Sequence, residues 1–311
     1  SNVRIGENAG DAIASGGNYN VVIGDEAGTA LTTGDNNVAI GYEALATEDA
    51  DGDNTAVGYR ALKTQNVGAA GYNIGIGAYA GTAITTGIKN VIVGNYGADV
   101  LTTGDMNTAI GYGALSSETK GNKSTAIGHG ALITQNNTSD TDTGNTAVGY
   151  DAGTAVTTGS SNTFVGYQAG DVTATGAANV AIGESALGGD CGQGNTVVGQ
   201  EAGKVCAGEY NVLLGRQSGK ELTSGDANIF IGDRAGEHTT NANNNIYIGQ
   251  LCGAHVTESN GYYNVMVGHY CDTSAAGGDH QAVLGYDVTC VGNNNFTFGN
   301  GGTDSNIAFG A

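Results

Sequence analysis

The chain has no proline and no tryptophan, and only ten of its 311 residues are lysine or arginine. The absence of proline suits a chain of hydrogen-bonded strands and tight turns, because proline cannot donate a ladder hydrogen bond. The ten basic residues stand against 30 acidic ones, which gives a formal charge of −20. We therefore expect no nucleic-acid partner and no attraction to anionic membranes, since both recruit lysine and arginine.

Long apolar runs are also missing. None approaches the roughly 18 residues that span a bilayer, so we expect no membrane insertion by this segment. No secretory signal opens the chain, because Ser1 leads directly into repeat sequence. We expect that a leader has been removed or that this is a segment of a longer protein.

Glycine is abundant, with 56 copies, but has no three-residue period, which excludes collagen. The glycines belong to a short tandem repeat: Asn, a β-branched residue, two apolar residues, Gly, then x-x-Ala-Gly or x-x-Ala-Leu. Clear copies are NVAIGYEAL (37–45), NTAVGYRAL (54–62), NTFVGYQAG (162–170) and NIFIGDRAG (228–236). Nineteen such anchor glycines run from Gly6 to Gly310, most often 17 residues apart. This regularity argues against disorder.

A longer period overlies the short one. Residues 94–165 repeat residues 24–93 as a block of four coils, so that RALKTQN (60–66) matches GALITQN (130–136). Growth by block copying leaves little room for a catalytic centre, which needs unlike residues that converge on one point. It suits a protein whose function is length and a repeated face.

The four-residue apolar core of the repeat is typical of a strand, and each unit is too short for a pair of helices. The sequence predicts an all-β, parallel β-solenoid of about 19 short coils stacked at the usual strand spacing of about 4.8 Å. Residues 1–285 are predicted to form regular coils, mostly of 17 residues, and residues 286–311 shorter terminal coils of the same solenoid.

Both faces of the predicted strand are apolar. We expect the residue before each anchor Gly, and the residue two places earlier, to point into the coil. The residue between them would then point outward, yet it is apolar too, which predicts burial against another chain. This predicted inter-chain face contains Val22, Ile92, Phe164, Leu213, Phe230, Tyr247 and Met266.

The NVAIG and NTAVG units resemble the YadA-like head repeats of trimeric autotransporter adhesins and similar arrays in bacteriophage tail fibres. The resemblance covers essentially the whole chain. It implies a left-handed parallel β-roll, three chains around one axis, and attachment to a surface. The usual companions of such heads, a heptad stalk, a membrane-anchor barrel and a chaperone domain, do not occur in the sequence.

The resemblance implies a non-enzymatic, extracellular fibre segment on a bacterial cell surface or a phage virion. Its partners would be two further copies of the chain and a cell-surface, matrix or glycan receptor. Two alternatives stay open: a subunit of a self-polymerising extracellular filament, and, with less support, an ice-binding solenoid. Thr pairs suggest the last, but most coils lack them.

Six tyrosines directly follow an anchor Gly and predict a stripe that contacts a receptor or lines the chain–chain interface: Tyr42, Tyr59, Tyr112, Tyr150, Tyr167 and Tyr286. Cys252 and Cys271 each lie three residues after an anchor Gly. They should stack on adjacent coils, either as a disulfide or as two small, reduced core residues.

Other signs of chemistry are weak. DADGDN (49–54) resembles the start of a calcium loop, but Arg60 stands where an EF-hand requires Glu. The five cysteines lack zinc spacing, the histidines share no triad spacing, and no glycine-rich loop opens a helix. We expect no catalytic residues, no cofactor and no metal.

Overall fold

The computed structural model describes residues 1–68, 70–254, 261–274 and 278–308. Every regular element within them is a β-strand, and no helix occurs there. The chain divides into two compact units, Ser1–Ser161 and Asn162–Ala311, a different division from the one that the repeat lengths suggest near residue 285. Each unit is a parallel β-solenoid, so the predicted all-β, parallel solenoid is confirmed. The last anchor, Gly310, lies outside the described residues.

The first unit is built on one parallel ladder and one small side sheet. Its strands are β1 Val3–Ile5, β2 Val21–Ile23, β3 Val38–Ile40, β4 Thr55–Val57, β5 Ile74–Ile76, β6 Val91–Val93, β7 Thr108–Ile110, β8 Gly121–Asn122, β9 Thr125–Ile127, β10 Thr141–Asp142 and β11 Thr146–Val148. Successive coils pair in register, for example Val21 with Val38 and Val38 with Thr55. Strands β8 and β10 pair with each other in parallel beside the ladder.

The second unit continues the same design. Its strands are β12 Thr163–Val165, β13 Val180–Ile182, β14 Thr196–Val198, β15 Val212–Leu214, β16 Ile229–Ile231, β17 Ile246–Ile248, β18 Val265–Val267, β19 Ala282–Tyr286, β20 Asn295–Asn300 and β21 Ser305–Ala308. The ladder is parallel from β12 to β20. Strand β21 instead pairs antiparallel with β20. It is therefore not the further coil that the sequence predicts, because the chain turns back at Gly301 and Gly302, both at positive φ.

The anchor glycine is required where coils approach each other. Gly41 has φ +129°, and a Cβ atom placed on it would lie 2.5 Å from the carbonyl oxygen of Gly58 on the next coil. Only glycine avoids both the unfavourable backbone conformation and this clash. The same approach recurs from Gly58 to Gly77 and onward, which explains why the anchor never varies.

The repeated Asn forms a buried ladder of its own. Oδ1 of Asn73 accepts the backbone N–H of Asn90 at 2.8 Å, and Nδ2 of Asn90 donates to the carbonyl of Gly104 at 2.9 Å. Asn90 also donates to Oδ1 of Asn73 at 3.2 Å, so the side-chain amides pair from coil to coil. Each Asn thus satisfies backbone groups that the corner of the coil leaves unpaired.

The predicted orientation of the strand is wrong. The middle residue of each three-residue strand lies inside its own chain, and the predicted inter-chain residues Val22, Ile92, Phe164, Leu213, Phe230, Tyr247 and Met266 are all fully buried there. The two flanking residues point outward instead. Alternation of side chains fixes which residues share a face, but it does not say which apolar face is inside.

Side-chain volume in the core shows why the middle residue is inside. Where the middle residue of the strand is small, the residue four places after the anchor glycine is leucine. Where the middle residue is large, that position is glycine. The small pairs are Ala39 with Leu45, Ala56 with Leu62, Ala109 with Leu115, Ala126 with Leu132 and Ala181 with Leu187; the large ones are Phe164 with Gly170, Leu213 with Gly219, Phe230 with Gly236 and Tyr247 with Gly253. Ala147 with Gly153 and Gly75 with Gly81 depart from this relationship. In the coils that follow it, one large side chain, from the strand or from the turn after the anchor, fills the interior space.

Candidate interaction surfaces

The first candidate surface is the outward face of the ladder within each unit. We call it the outer ladder face and define it as the first and third residues of the three-residue ladder strands. Its members are Val, Ile, Leu or Thr and none is charged. Ile76, Ile182 and Ile248 are 39%, 39% and 36% exposed. The strand is thus apolar on both faces, as predicted, although the face that remains uncovered is the other one.

The second candidate surface is a column of aromatic rings in the first unit, which we call the aromatic column. It consists of Tyr42, Tyr59, Tyr79, Tyr96, Tyr112, His129 and Tyr150, and neighbouring ring centroids are 5.1 to 5.8 Å apart. The rings are partly exposed, and Tyr112 is 53% exposed. The guanidinium of Arg60 lies 5.1 Å from the Tyr59 ring centroid, a cation–π contact.

Four of the six predicted stripe tyrosines belong to this column, namely Tyr42, Tyr59, Tyr112 and Tyr150. Tyr79 and Tyr96 were missed because they stand two residues after the anchor, in the two coils where Ala78 and Asn95 follow it. A search for one aromatic ring per coil, at either position, would have found them.

The way the rings pack limits what the column can bind. Tyr112, His129 and Tyr150 stack with interplanar angles of 14° and 11°, so both faces of the imidazole are covered. Tyr42 stacks on Tyr59 at 17°. Such stacks therefore expose ring edges and hydroxyls to solvent, and they do not expose open ring faces. A glycan would contact these edges instead of stacking on the faces.

The equivalent positions of the second unit are mostly polar. Tyr286 stacks on His269 at 5.4 Å, and Tyr167 is 50% exposed. The positions between them are hydrogen-bonded polar residues: Glu184, Gln200, Arg216, Asp233 and Gln250. The predicted stripe is thus aromatic over several coils of the first unit and interrupted in the second.

The cysteines are core residues. All five are free and buried, including Cys252 and Cys271. Burial raises the pKa of the Cys206 thiol to about 12 and also raises the pKa values of Cys252 and Cys271. Thiols held in the protonated form are poor nucleophiles and poor metal ligands. Of the two alternatives for this pair, the structure contains the reduced one.

The loop that resembles the start of a calcium site contains one buried carboxyl group. Asp49 accepts the backbone N–H of Ala50, Asp53 accepts the side-chain amide of Asn36 on the preceding coil, and Asp51 is fully buried. In the described part of the chain, no three His, Cys, Asp or Glu side chains come together in a group that could hold a metal ion. Within the same residues, no helix is long and apolar enough to cross a membrane.

Comparison with known proteins gives no further indication of identity. No protein-family model, no curated protein and no solved structure matches the chain. The likeness to adhesin heads and tail-fibre arrays therefore rests on the repeat motif alone.

Proposed function

We propose that the chain is a non-enzymatic segment of an extracellular adhesive fibre, in which three copies associate through the outer ladder face. One observation carries the proposal: the outer ladder face is uncharged and largely apolar in coil after coil, although each coil already has a complete core. Soluble monomers rarely expose apolar patches beyond a few hundred Å².

A second copy of the chain is the occupant that best fits this face. The ladder repeats at strand spacing, and a copy with the same repeat can match it coil for coil. The chain carries a formal charge of −20, so copies should repel each other through their charged surfaces. The outer ladder face carries no charge and is not subject to this repulsion. A rotationally symmetric assembly buries the face on every copy without leaving one open.

The aromatic column is the surface we assign to a receptor. Its exposed edges combine apolar carbon with tyrosine hydroxyls, a combination enriched where proteins bind partners. A cell-surface, matrix or glycan receptor fits the resemblance, and so does display on a bacterial cell or a phage virion.

Charging the outer ladder face tests the assembly. The variant carries Ile76→Glu, Ile182→Glu and Ile248→Glu. The matched control carries Val100→Glu, Val172→Glu and Val205→Glu, at valines that are 40%, 45% and 44% exposed outside the ladder. Both variants add the same charge at similar exposure. Burying unpaired carboxylates at an interface is costly.

Sedimentation of the parent and of the control should give about three times the chain mass of 30.9 kDa. The face variant should sediment at the mass of one folded chain. A parent that is monomeric, or a face variant that still assembles, contradicts the proposal. Far-UV circular dichroism confirms that each variant retains its strands.

In the self-polymerising filament, copies would join end to end and not through the outer ladder face. End-to-end growth requires a joint at the edges of the ladder, and in the second unit the edge of β20 is occupied by the antiparallel strand β21. Sedimentation separates the two functions, because a filament grows with concentration whereas a closed trimer keeps its mass.

Ice binding has less support. In three Thr pairs, the hydroxyl of the first threonine is used within the solenoid: Thr32, Thr85 and Thr102 donate to carbonyls of the next coil at 2.8, 3.2 and 2.9 Å. These first hydroxyls are therefore not part of a free, regular array. A measurable thermal hysteresis would nevertheless overturn the fibre proposal.

A further inference from the structure

The duplicated block places one acidic side chain at the same corner twice. Glu48 and Glu118 stand 70 residues apart at matching positions of the two blocks, and both are fully buried. Each accepts a hydrogen bond from a glutamine of the next coil, Gln65 at 3.0 Å and Gln135 at 2.8 Å. The two corners therefore share the buried Glu and its Gln donor, and they differ in the residues around this pair.

The second corner is arranged for an ionised carboxylate. Six N–H groups donate to Glu118: the backbone N–H groups of Thr119, Lys120, Gly121 and Asn137, and the side-chain amides of Gln135 and Asn137. Burial by itself would raise the pKa of Glu118, but these hydrogen bonds outweigh it and the pKa is lowered. A carboxylate that accepts several N–H groups is stable as the anion.

The first corner has two carboxyl groups and fewer donors. Asp51 stands where the second block has Gly121, and Val67 stands where it has Asn137. Glu48 accepts the backbone N–H of Asp51 at 3.0 Å, and Asp51 accepts the backbone N–H of Val67. Oδ1 of Asp51 is buried and accepts no hydrogen bond from the described residues. The hydrogen bond from the Asp51 backbone to the Glu48 carboxyl group places the two buried side chains at the same corner.

The charged groups near this corner bind partners other than Glu48 and Asp51. On the preceding coil, Asp35 accepts the N–H of Asn18. On the same coil, Asp49 and Asp53 bond to Ala50 and Asn36. On the following coil, Lys63 pairs with Glu43 at 2.8 Å. No described lysine or arginine makes an ion pair with Glu48 or Asp51, so two negative charges here would be buried without a cation.

We propose that Glu48 and Asp51 bind one proton between them when the chain folds, as a carboxyl–carboxylate pair, which makes this coil a pH-sensitive element. The shared proton supplies the donor that the pair lacks. Burial, followed by the hydrogen bond and the charge of Asp51, raises the pKa of Glu48 to about 8, whereas the ordinary value is 4.5.

The direction of the pH effect follows from these values. Below the ordinary pKa, the folded and the unfolded chain both hold the proton, and the stability that it contributes is complete. Between that value and about 8, the unfolded chain has released the proton while the folded chain retains it. The folding equilibrium constant should therefore fall about tenfold per pH unit across this range on account of the pair.

Matched glutamine substitutions test the proposal within one chain. In Glu48→Gln the amide is neutral at every pH and can donate to Asp51, so this variant should lose the fall in stability between about pH 5 and pH 8. Relative to the parent, it should gain about tenfold in folding equilibrium constant per pH unit. Glu118→Gln should instead destabilise the chain above pH 5, because its amide nitrogen faces N–H donors. Asp51→Gly, which copies one of the two differences between the corners, should weaken the pH dependence without removing it, because Glu48 stays buried.

Two readouts distinguish the outcomes. Urea unfolding at each pH gives the global effect, and hydrogen exchange of the segment that contains Val67 gives the local one. Equal pH slopes for the parent and Glu48→Gln would overturn the proposal. It would also be overturned if calcium chloride stabilised the parent but not Glu48→Gln, since the pair would then hold a cation. These measurements report on the folding of the chain, so their failure is distinguishable from a failure of the fibre proposal.

Discussion

Gly170 lies so close to Phe164 that a Cβ atom placed on it would be 2.6 Å from Cδ1 of the phenylalanine ring. In the coil of Ala39, the corresponding position is Leu45, and both of those residues are fully buried. The coil of Phe164 therefore fills its interior with a strand residue, and the coil of Ala39 fills it with Leu45 from the turn after the anchor. The two arrangements occupy the same space in the coil.

Replacing the Phe–Gly arrangement by the Ala–Leu arrangement should be tolerated only when both residues are changed together. Phe164→Ala alone should cost about 3–5 kcal/mol through the cavity that it leaves. Gly170→Leu alone should destabilise the chain by overpacking. The double variant recreates the Ala–Leu arrangement and should recover most of the loss, as a double-mutant cycle in urea unfolding would show. Additive losses would mean that the two side chains do not share one space.

The anchor glycines should not tolerate even alanine. Gly41→Ala places a Cβ atom 2.5 Å from the carbonyl oxygen of Gly58 at a φ of +129°, so we expect a loss of at least about 2 kcal/mol. Gly292→Ala is the control, because its Cβ atom would meet only the amide of Asn295, at 3.7 Å. Thermal unfolding of both variants checks the difference. A neutral Gly41→Ala would contradict the close approach of the coils.

The buried Asn ladder should contribute more than an exposed amide. Asn90→Ala removes the acceptor of the Asn107 N–H at 2.9 Å and the donor to Gly104. Leaving these two backbone groups unpaired should cost about 1–3 kcal/mol each. Asn66→Ala, whose amide makes one exposed contact at 3.4 Å, should change stability by less than about 0.5 kcal/mol. Urea unfolding of the two variants measures the difference, and similar losses would argue against the ladder.

The cysteines should react only when the chain unfolds. Burial raises the pKa of Cys191, Cys206, Cys252 and Cys271, so the thiolate that an alkylating reagent needs is scarce in the folded chain. Mass spectrometry should detect little label on the native protein and five labels after denaturation. Three labels on the denatured, unreduced protein would instead indicate one disulfide.

Much of the solenoid could be predicted from the sequence. The positions of the parallel ladder strands, the anchor glycine and the buried Asn follow from a motif that recurs too regularly for another fold, since equivalent residues must stack from coil to coil. The proton-binding corner could not be predicted, because Glu48 and Glu118 occupy equivalent positions of the repeat. Only burial, together with the replacement of Gly121 by Asp51 and of Asn137 by Val67, separates their chemistry.

What the tertiary structure decided was the direction in which the strand faces. Alternation makes Val38 and Ile40 neighbours on one face and places Ala39 on the other, but both faces are apolar, so hydrophobicity alone does not identify the interior. The turn after the anchor identifies it by bringing Ala44 and Leu45 into the core beside Ala39. Side-chain alternation is a property of the strand, which the sequence contains, whereas the choice of inner face depends on which other segment packs against it.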